Sequence, residues 1–150
     1  MQPIIIPVVQ PDHNKLEQAY ELAEDFNLQF NATEILIPKY FQYDGASIPA
    51  MAWQLIGTPF NPQFMRASIV HDWLYHSHQL TQTKSDQLFY ELLLASRVNK
   101  VKATLMKQAV TRFGGWYWEN DKDDLDYIQR LKNLIIEEGK KPEWYGLSKE

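Results

Sequence analysis

The chain contains no cysteine. This absence excludes disulfide bonds, thiolate metal ligands and cysteine nucleophiles, and it leaves the redox compartment open. No apolar run approaches the roughly 20 residues that a membrane-spanning helix requires, so we expect no membrane span. Residues 1–9 have neither a basic start nor a small-residue cleavage site, which is not the pattern of a signal peptide. A cytoplasmic location is the default expectation.

A strong excess of one charge is also missing, because the net charge is only −4. The composition as a whole gives no argument for a nucleic-acid partner. With 45% hydrophobic and 23% charged residues, the 150-residue chain has the composition of a folded globular protein. Its length suits one domain, and we find no internal repeat or low-complexity linker. We therefore predict a single domain over residues 1–150.

The N-terminal part, residues 1–60, carries six of the eight prolines and several short β-type runs. Residues 4–9 predict an edge strand, because Pro7 cannot donate to a central one. The second half of residues 16–30 predicts strand pairing, although the first half also fits a helical period. Residues 34–37 predict a strand that Pro38 ends. Together these runs predict a small antiparallel β region over about residues 3–45.

The helical part covers residues 61–138. Asn61-Pro62 predicts a helix that continues to about His78. The next three helices are predicted from caps, apolar spacing and glycines: one capped by Thr83 or Ser85 and ending near Val98, one from about Val101 to Gly114-Gly115, and one from near Asp121 to Gly139. The tail, residues 139–150, holds Trp144 and Tyr145 and is predicted to dock back. The predicted class is α+β, with the β region packed on a body of four or more helices.

The segment His71-Asp72-Trp73-Leu74-Tyr75 places an imidazole beside a carboxylate within an apolar helical pattern. Adjacent helical side chains point about 100° apart, so burying both groups requires partners for each. A metal site, a catalytic pair or a satisfied hydrogen-bond network would each explain the pattern. Tyr75 lies one turn after His71 on the same face and is a further candidate site residue.

Asp86 is the candidate partner of His71. The short connection between the two helices makes them antiparallel neighbours, so an early aspartate on the second helix lies near the end of the first. If the helices cross tightly, Asp86 can orient His71 as a general base. Otherwise Asp86 only complements the dipole at the start of its own helix.

Asp44 and Ser47 come from a loop at residues 43–49, where Asp44-Gly45 is typical of a turn. Asp44 forms either an Asx turn or, with Asp72, a cation site. Oxygen ligands from Asp44, Asp72 and Asp86 suit calcium or magnesium, and adding His71 suits zinc or manganese. Ser47 is a nucleophile by residue type, but no nucleophile elbow surrounds it, so a helix cap before Pro49 fits better.

A basic stretch lies within residues 97–112 of this acidic chain. No acidic residue occurs from Leu92 to Trp118, and five basic residues do: Arg97, Lys100, Lys102, Lys107 and Arg112. The pattern predicts a solvated helix face or, alternatively, a surface for an anionic ligand or partner. The aromatic cluster at residues 113–118 predicts core packing and helix closure in preference to base stacking.

Several motifs in a fixed order resemble a known family: IPKYF at residues 37–41, DGASIP at 44–49, HDWLY at 71–75, SDQLF at 85–89 and AVTRFG at 109–114. The chain resembles, over about residues 20–118, a family of phage, prophage and bacterial proteins known as domain of unknown function number 1353. The resemblance implies a phage or prophage context without an established activity. It places the recurring polar positions of the family on Asp44, Ser47, His71, Asp72 and Asp86.

HDWLY alone is also similar to the His-Asp-x-Cys-Tyr helix of secreted phospholipases A2. That similarity implies that His71 activates water, Asp72 binds calcium and Asp86 orients the histidine. Leu74 replaces the cysteine of that motif, and no glycine-rich calcium loop precedes the helix. The similarity therefore supplies a mechanism to test.

Two functions of different classes follow. The first is a divalent-metal-assisted hydrolase, in which His71 deprotonates water, Asp86 or Asp44 fixes its tautomer, and a cation on Asp72 stabilises the oxyanion. The second is a non-enzymatic phage structural or host-interaction protein, located in the host cytoplasm or the virion. In that case the same residues form a buried network that specifies the core, and the partner is a phage or host protein.

Overall fold

The computed structural model describes residues 3, 5–7, 20–43, 54, 61–122 and 125–147. Its contacts divide the chain into two compact units. Residues 1–2 and 45–123 form the first, here called the helical unit, and residues 3–44 and 124–150 form the second, here called the β unit. The secondary structure confirms the α+β class, while the single domain remains a prediction.

The β unit contains two small antiparallel sheets among the described residues. Strands β1 (Ile5–Pro7), β2 (Tyr20–Leu22) and β5 (Gln42–Tyr43) form the first, in the order β1-β2-β5. β1 lies at the edge, as Pro7 predicted, with Ile5 opposite Leu22. Strands β3 (Phe26–Phe30) and β4 (Thr33–Ile37) form the second. The strands predicted for residues 34–37 and for the second half of residues 16–30 are thus confirmed.

The C-terminal segment completes the β unit with helix α5 (Leu125–Glu137) and a short 3₁₀ helix (Pro142–Tyr145). At the edge of the first sheet, the Gln42 amide donates to the hydroxyl oxygen of Tyr127 on α5 at 2.7 Å. Tyr145 is buried, and its hydroxyl donates to Asp25 Oδ2 at 2.7 Å. The predicted docking of the tail is therefore seen at Tyr145, whereas Trp144 is exposed.

The helical unit contains helices α1 (Pro62–Ser77), α2 (Gln82–Ala95), α3 (Lys100–Phe113) and α4 (Gly115–Lys122). Asn61 caps α1 and accepts from the Gln63 amide at 3.0 Å, as the Asn-Pro pattern predicted. The core joins α1, α2 and α3 through buried apolar side chains: Phe64, Ala67, Phe89, Leu93, Val98, Ala103, Met106 and Val110. α1 is the central helix, because all its residues from 67 to 76 are buried.

The predicted limits of the second helix are wrong. Thr81 caps α2 and accepts from the Lys84 amide at 3.2 Å, while the Ser85 hydroxyl donates to the Thr81 carbonyl inside the helix. α2 ends at Ala95 because Arg97 adopts a left-handed conformation (φ 65°), which lets the Val98 amide bond back to Leu93 at 3.0 Å.

The sequence predicted that a helix ends at the glycine pair, but a further helix follows it without a loop: α4 begins at Gly115, directly after α3. The helix predicted from near Asp121 to Gly139 corresponds to α5, which is described over Leu125–Glu137. The core prediction for the aromatic cluster is wrong for Phe113 and Trp116, which are exposed. Within the described part of the chain, no helix is long and apolar enough to cross a membrane.

Candidate functional site

The adjacent His71 and Asp72 side chains are both buried, with 0% and 2% of their surfaces exposed. This is possible because α1 is buried on nearly all sides, so two side chains 100° apart both point inward. Buried polar groups of this kind require hydrogen-bonding partners. One hydrogen-bonding partner of His71 comes from the neighbouring helix α2.

Asp86 on α2 is in direct contact with His71. The imidazole Nε2 lies 2.8 Å from Asp86 Oδ1, and the Asp86 side chain is only 2% exposed. Thr81 starts α2 immediately after the turn from α1, so Asp86 lies on the second turn of α2 and faces the middle of α1. The tight helix crossing that this contact requires is therefore present.

Two hydroxyl groups complete the surroundings of the Asp86 carboxylate. The Tyr75 hydroxyl donates to Oδ1 at 2.7 Å, and the Thr111 hydroxyl on α3 donates to Oδ2 at 3.1 Å. The carboxylate thus joins three helices. Its two oxygens have three donors, which suits an acceptor-only group.

Burial favours the neutral form of the His71 ring. Burial lowers the pKa of His71 below its ordinary value, and the hydrogen bond and charge of Asp86 oppose burial without overcoming it. A neutral imidazole that faces a carboxylate through Nε2 carries its hydrogen on that nitrogen. The Tyr75 and Phe89 rings also lie against the imidazole, with centroids 4.2 and 4.9 Å away.

The other two histidines of α1 serve its C-terminal end. His78 caps the helix in a left-handed conformation (φ 53°), stacks on Trp118 at 3.5 Å, and donates through Nε2 to the Trp118 carbonyl at 2.7 Å. The His76 Nδ1 lies 3.0 Å from the Asp72 carbonyl within the same helix. Neither of these contacts reaches Asp86.

The metal hypothesis depends on Asp44 and Asp72 together. Asp44 and Ser47 lie outside the described residues. Among the residues that are described, no three histidine, aspartate or glutamate side chains lie close enough to hold a metal ion. The metal roles of Asp44 and Asp72, and any role of Ser47, remain predictions.

The basic stretch lies on α3 and in the turn before it, and its side chains other than Lys107 are exposed. Exposed apolar side chains lie on α3 and at the start of α4, with Val101 69% and Trp116 65% exposed. We call this surface the basic apolar face, and it comprises exposed residues only: Arg97, Lys100, Val101, Lys102, Leu105, Arg112, Phe113 and Trp116. Lys107 instead donates to Gln87 at 2.7 Å.

The described architecture is that of an α+β protein with a buried histidine–aspartate pair between two helices. The chain belongs to the family described as Protein of unknown function (DUF1353), whose model matches residues 20–110. That match includes His71, Tyr75 and Asp86, and it confirms the family resemblance.

Two curated relatives come from Sinorhizobium fredii (strain NBRC 101917 / NGR234). The chain is similar to Uncharacterized protein y4iH, with 39% identity over 71 residues, covering 47% of this chain and 30% of that protein. It is also similar to Uncharacterized protein y4jT, with 33% identity over 96 residues, covering 63% and 29%. The chain thus spans about three tenths of the length of these relatives. No solved structure matches it.

Sequence reasoning missed Thr111 and Gly114. Thr111 supplies the third donor to Asp86, and Gly114 leaves room for Tyr75, because a Cβ there would lie 2.8 Å from the Tyr75 hydroxyl. Helical periodicity does not distinguish Thr111 from Thr104 on the same helix. The available signal was the motif AVTRFG, which contains both missed residues and contributes to the family resemblance.

Proposed function

We propose that the protein is a hydrolase in which His71 is the general base and Asp86 orients it. The observation that carries the proposal is the 2.8 Å contact between His71 Nε2 and Asp86 Oδ1. Two further donors hold the same carboxylate. A neutral imidazole fixed through one nitrogen is the arrangement that general-base catalysis uses.

In the proposed reaction the His71 imidazole accepts a proton from a water molecule. The resulting hydroxide attacks the acyl carbon or phosphorus of the substrate, and the bond to the leaving group breaks. The imidazolium then returns the proton to the leaving group. The Asp86 carboxylate stabilises the transient positive charge on the ring through its hydrogen bond with Nε2.

A divalent cation on Asp72, with Asp44 as a second ligand, remains part of the proposal. It would stabilise the negative charge that develops on the substrate oxygen. The cation is tested separately by thermal melting with calcium, magnesium, manganese or zinc, against an EDTA control. A bound cation raises Tm, and Asp72→Asn abolishes that rise. A Tm unaffected by all four cations contradicts the metal proposal and leaves the His71–Asp86 pair to be tested by activity.

The hydrolase proposal is tested with chromogenic carboxylic esters, phosphomonoesters and phosphodiesters. We expect His71→Ala to lower turnover by about 10²- to 10⁴-fold, the usual contribution of a general base. His78→Asn is the matched control, because it removes an imidazole from the same helix and keeps a residue that tolerates the left-handed conformation. Equal turnover in wild type and His71→Ala contradicts the proposal.

A non-enzymatic binding function is the second candidate, and two observations favour it. His71 has no exposed surface, so a substrate reaches it only after its surroundings move. The basic apolar face, by contrast, presents aromatic and cationic side chains directly to solvent. Tryptophan and arginine are enriched at the energetic centres of protein interfaces. The partner would be a phage or host protein with acidic residues around an apolar centre, met in the host cytoplasm or the virion.

The two candidates predict different variant effects on binding. If the basic apolar face is the functional surface, Trp116→Ala together with Arg112→Glu abolishes cross-linking to a specific partner. His71→Gln leaves that cross-linking unchanged, provided that the variant is folded. Loss of the partner in His71→Gln alone, with the fold retained, argues against a function confined to the face.

A further inference from the structure

Thr111 reaches the buried pair from a third helix. Its hydroxyl donates to Asp86 Oδ2 at 3.1 Å, while the two contacts from α1 both involve Oδ1. Among the described residues, Thr111 is the only side chain that donates to Oδ2. Thr111 itself is an exposed residue. Rotation of the carboxylate about its Cβ–Cγ bond would break this hydrogen bond.

We propose that Thr111 is a positioning residue that fixes the plane of the Asp86 carboxylate and, through it, the tautomer of His71. The terminal torsion of an aspartate is intrinsically broad, so the carboxylate plane depends on its hydrogen-bond donors. A carboxylate held at both oxygens presents Oδ1 to Nε2 in one geometry. That geometry keeps the ring hydrogen on Nε2, where it faces the carboxylate.

The inference rests on the proposed function, because the tautomer of His71 affects the reaction only if His71 acts as a base. Its structural part can nevertheless be measured without any substrate. For metal-ligating histidines, the hydrogen-bond partners that fix ring orientation and tautomer contribute about 10- to 100-fold to metal affinity or activity. Thr111 would act on His71 indirectly, because it contacts Asp86 and not the imidazole.

α3 provides a matched control for this proposal. The Thr104 hydroxyl donates to the Lys100 carbonyl of its own helix at 2.8 Å and does not contact Asp86. Thr104→Val therefore removes the same hydroxyl group from the same helix. Thr111→Ser keeps the hydroxyl at the position in question, whereas Thr111→Val replaces it with a methyl group of similar size.

The experiment is long-range ¹H–¹⁵N NMR of the full chain with labelled histidine at pH 7.5. We expect a single Nε2–H tautomer of His71 in the wild type, Thr111→Ser and Thr104→Val. Thr111→Val is expected to lose this single tautomer, so that the Nδ1–H form becomes detectable. If Thr111→Val cannot be purified, Thr111→Ala makes the same deletion at this exposed position.

Two results overturn the positioning role: an unchanged His71 spectrum in the variant without the hydroxyl, or a Thr111→Ser spectrum as altered as that of Thr111→Val. With an active substrate, Thr111→Val should lower kcat by about tenfold or more, while KM is unchanged. If the tautomer changes but His71→Ala does not affect hydrolysis, the proposed function fails and the positioning role stands.

Discussion

At the residue scale, Gly114 illustrates how an absent side chain shapes the site. It follows α3 at the point where the Tyr75 ring approaches, and a Cβ would meet both the Val110 carbonyl and the Tyr75 hydroxyl. The Tyr75 hydroxyl cannot retreat without leaving Asp86, to which it donates. The need for glycine here is steric, since the backbone itself has a negative φ of −83°.

Gly114→Ala is therefore expected to lower the free energy of unfolding by about 1–3 kcal/mol, the usual cost of overpacking. Gly115→Ala is the control, because nothing lies within 4 Å of a Cβ there. It should be neutral or slightly stabilising, since alanine restricts the unfolded chain. Urea denaturation measures both variants. Equal stability of the two would contradict the steric role of Gly114.

His71 gives the protein a predicted loss of stability in mild acid. The unfolded chain protonates this imidazole below a pH of about 6.5, whereas burial lowers the pKa of His71 in the folded chain, against the opposing effect of Asp86. Protonation thus favours the unfolded chain. The stability contribution is present above pH 6.5 and is lost as the pH falls towards the folded-state pKa, by at most about 1.4 kcal/mol per pH unit.

Urea denaturation at pH 7.5, 6.5 and 5.5 measures this effect. We expect the wild type to lose more stability over this range than His71→Gln, which has no imidazole at this position. The other histidines remain in both proteins, so the difference between their pH slopes isolates His71. Parallel slopes would show that His71 is protonated equally in the folded and unfolded chains.

At the scale of elements, Asp25 attaches the C-terminal 3₁₀ helix to the N-terminal, strand-forming part of the β unit. Its carboxylate accepts from the Lys39 amide at 2.7 Å, Lys140 Nζ at 3.1 Å and the Tyr145 hydroxyl at 2.7 Å. Burial raises the pKa of Asp25, but these donors and the Lys140 charge outweigh burial and hold it below its ordinary value. The stability that this carboxylate contributes is present above a pH of about 4 and is lost as the pH falls further.

Tyr145→Phe is expected to lower the free energy of unfolding at pH 7 by about 1.5–3 kcal/mol, the range for a hydrogen bond to a charged group. Trp144→Phe is the matched control, because the neighbouring Trp144 side chain is 53% exposed. The deficit of Tyr145→Phe should shrink as the pH falls below about 4, because protonation of Asp25 removes the charge that strengthens this hydrogen bond. A deficit that is constant between pH 7 and 3 would assign the effect to packing.

Local signals explain which elements the sequence predicted correctly. Asn61-Pro62 marks the start of α1 unambiguously, because a capping side chain and a proline at the first position act within one turn. The start of α2 was predicted too late, because Thr83 and Ser85 are capping residues by type just as Thr81 is. Only the structure shows that the Thr81 side chain accepts from the Lys84 amide and is therefore the cap.

The candidate site was predictable only in part, because local sequence signals relate some of its residues but not all of them. His71 and Asp86 lie on consecutive antiparallel helices, so their proximity follows from a short connection. Thr111 belongs to the next helix along, whose rotation about its own axis is set by the whole core. The attachment of Asp25 to Tyr145 spans 120 residues of sequence, and no local pattern marks it.

At the scale of the molecule, the family match and the folded units have different limits. The match covers residues 20–110, whereas the β unit also includes residues 3–19 and 124–150. The match also stops one residue before Thr111. The portion most similar to the family therefore lacks both the third donor to Asp86 and the segment that carries Tyr145.

A fragment of residues 20–110 is expected to lack a cooperative thermal transition and near-UV circular dichroism. It loses the Thr111 and Gly114 contacts in the helical unit and all of α5 in the β unit. A fragment of residues 1–147 retains every described residue and should melt like the full chain. Cooperative melting of the shorter fragment within a few degrees of the full chain would contradict this expectation.

The hydrogen bonds around Asp86 and those around Asp25 also differ in when they can form during synthesis. The partners of Asp86 lie 11, 15 and 25 residues away, so all have been synthesised once Thr111 has been added. Two partners of Asp25 lie 115 and 120 residues away. Contacts between distant residues form more slowly, and at about 5–20 residues per second the ribosome adds the last of them seconds later. The β unit is therefore expected to be the last part to fold on the ribosome and the most sensitive to premature termination.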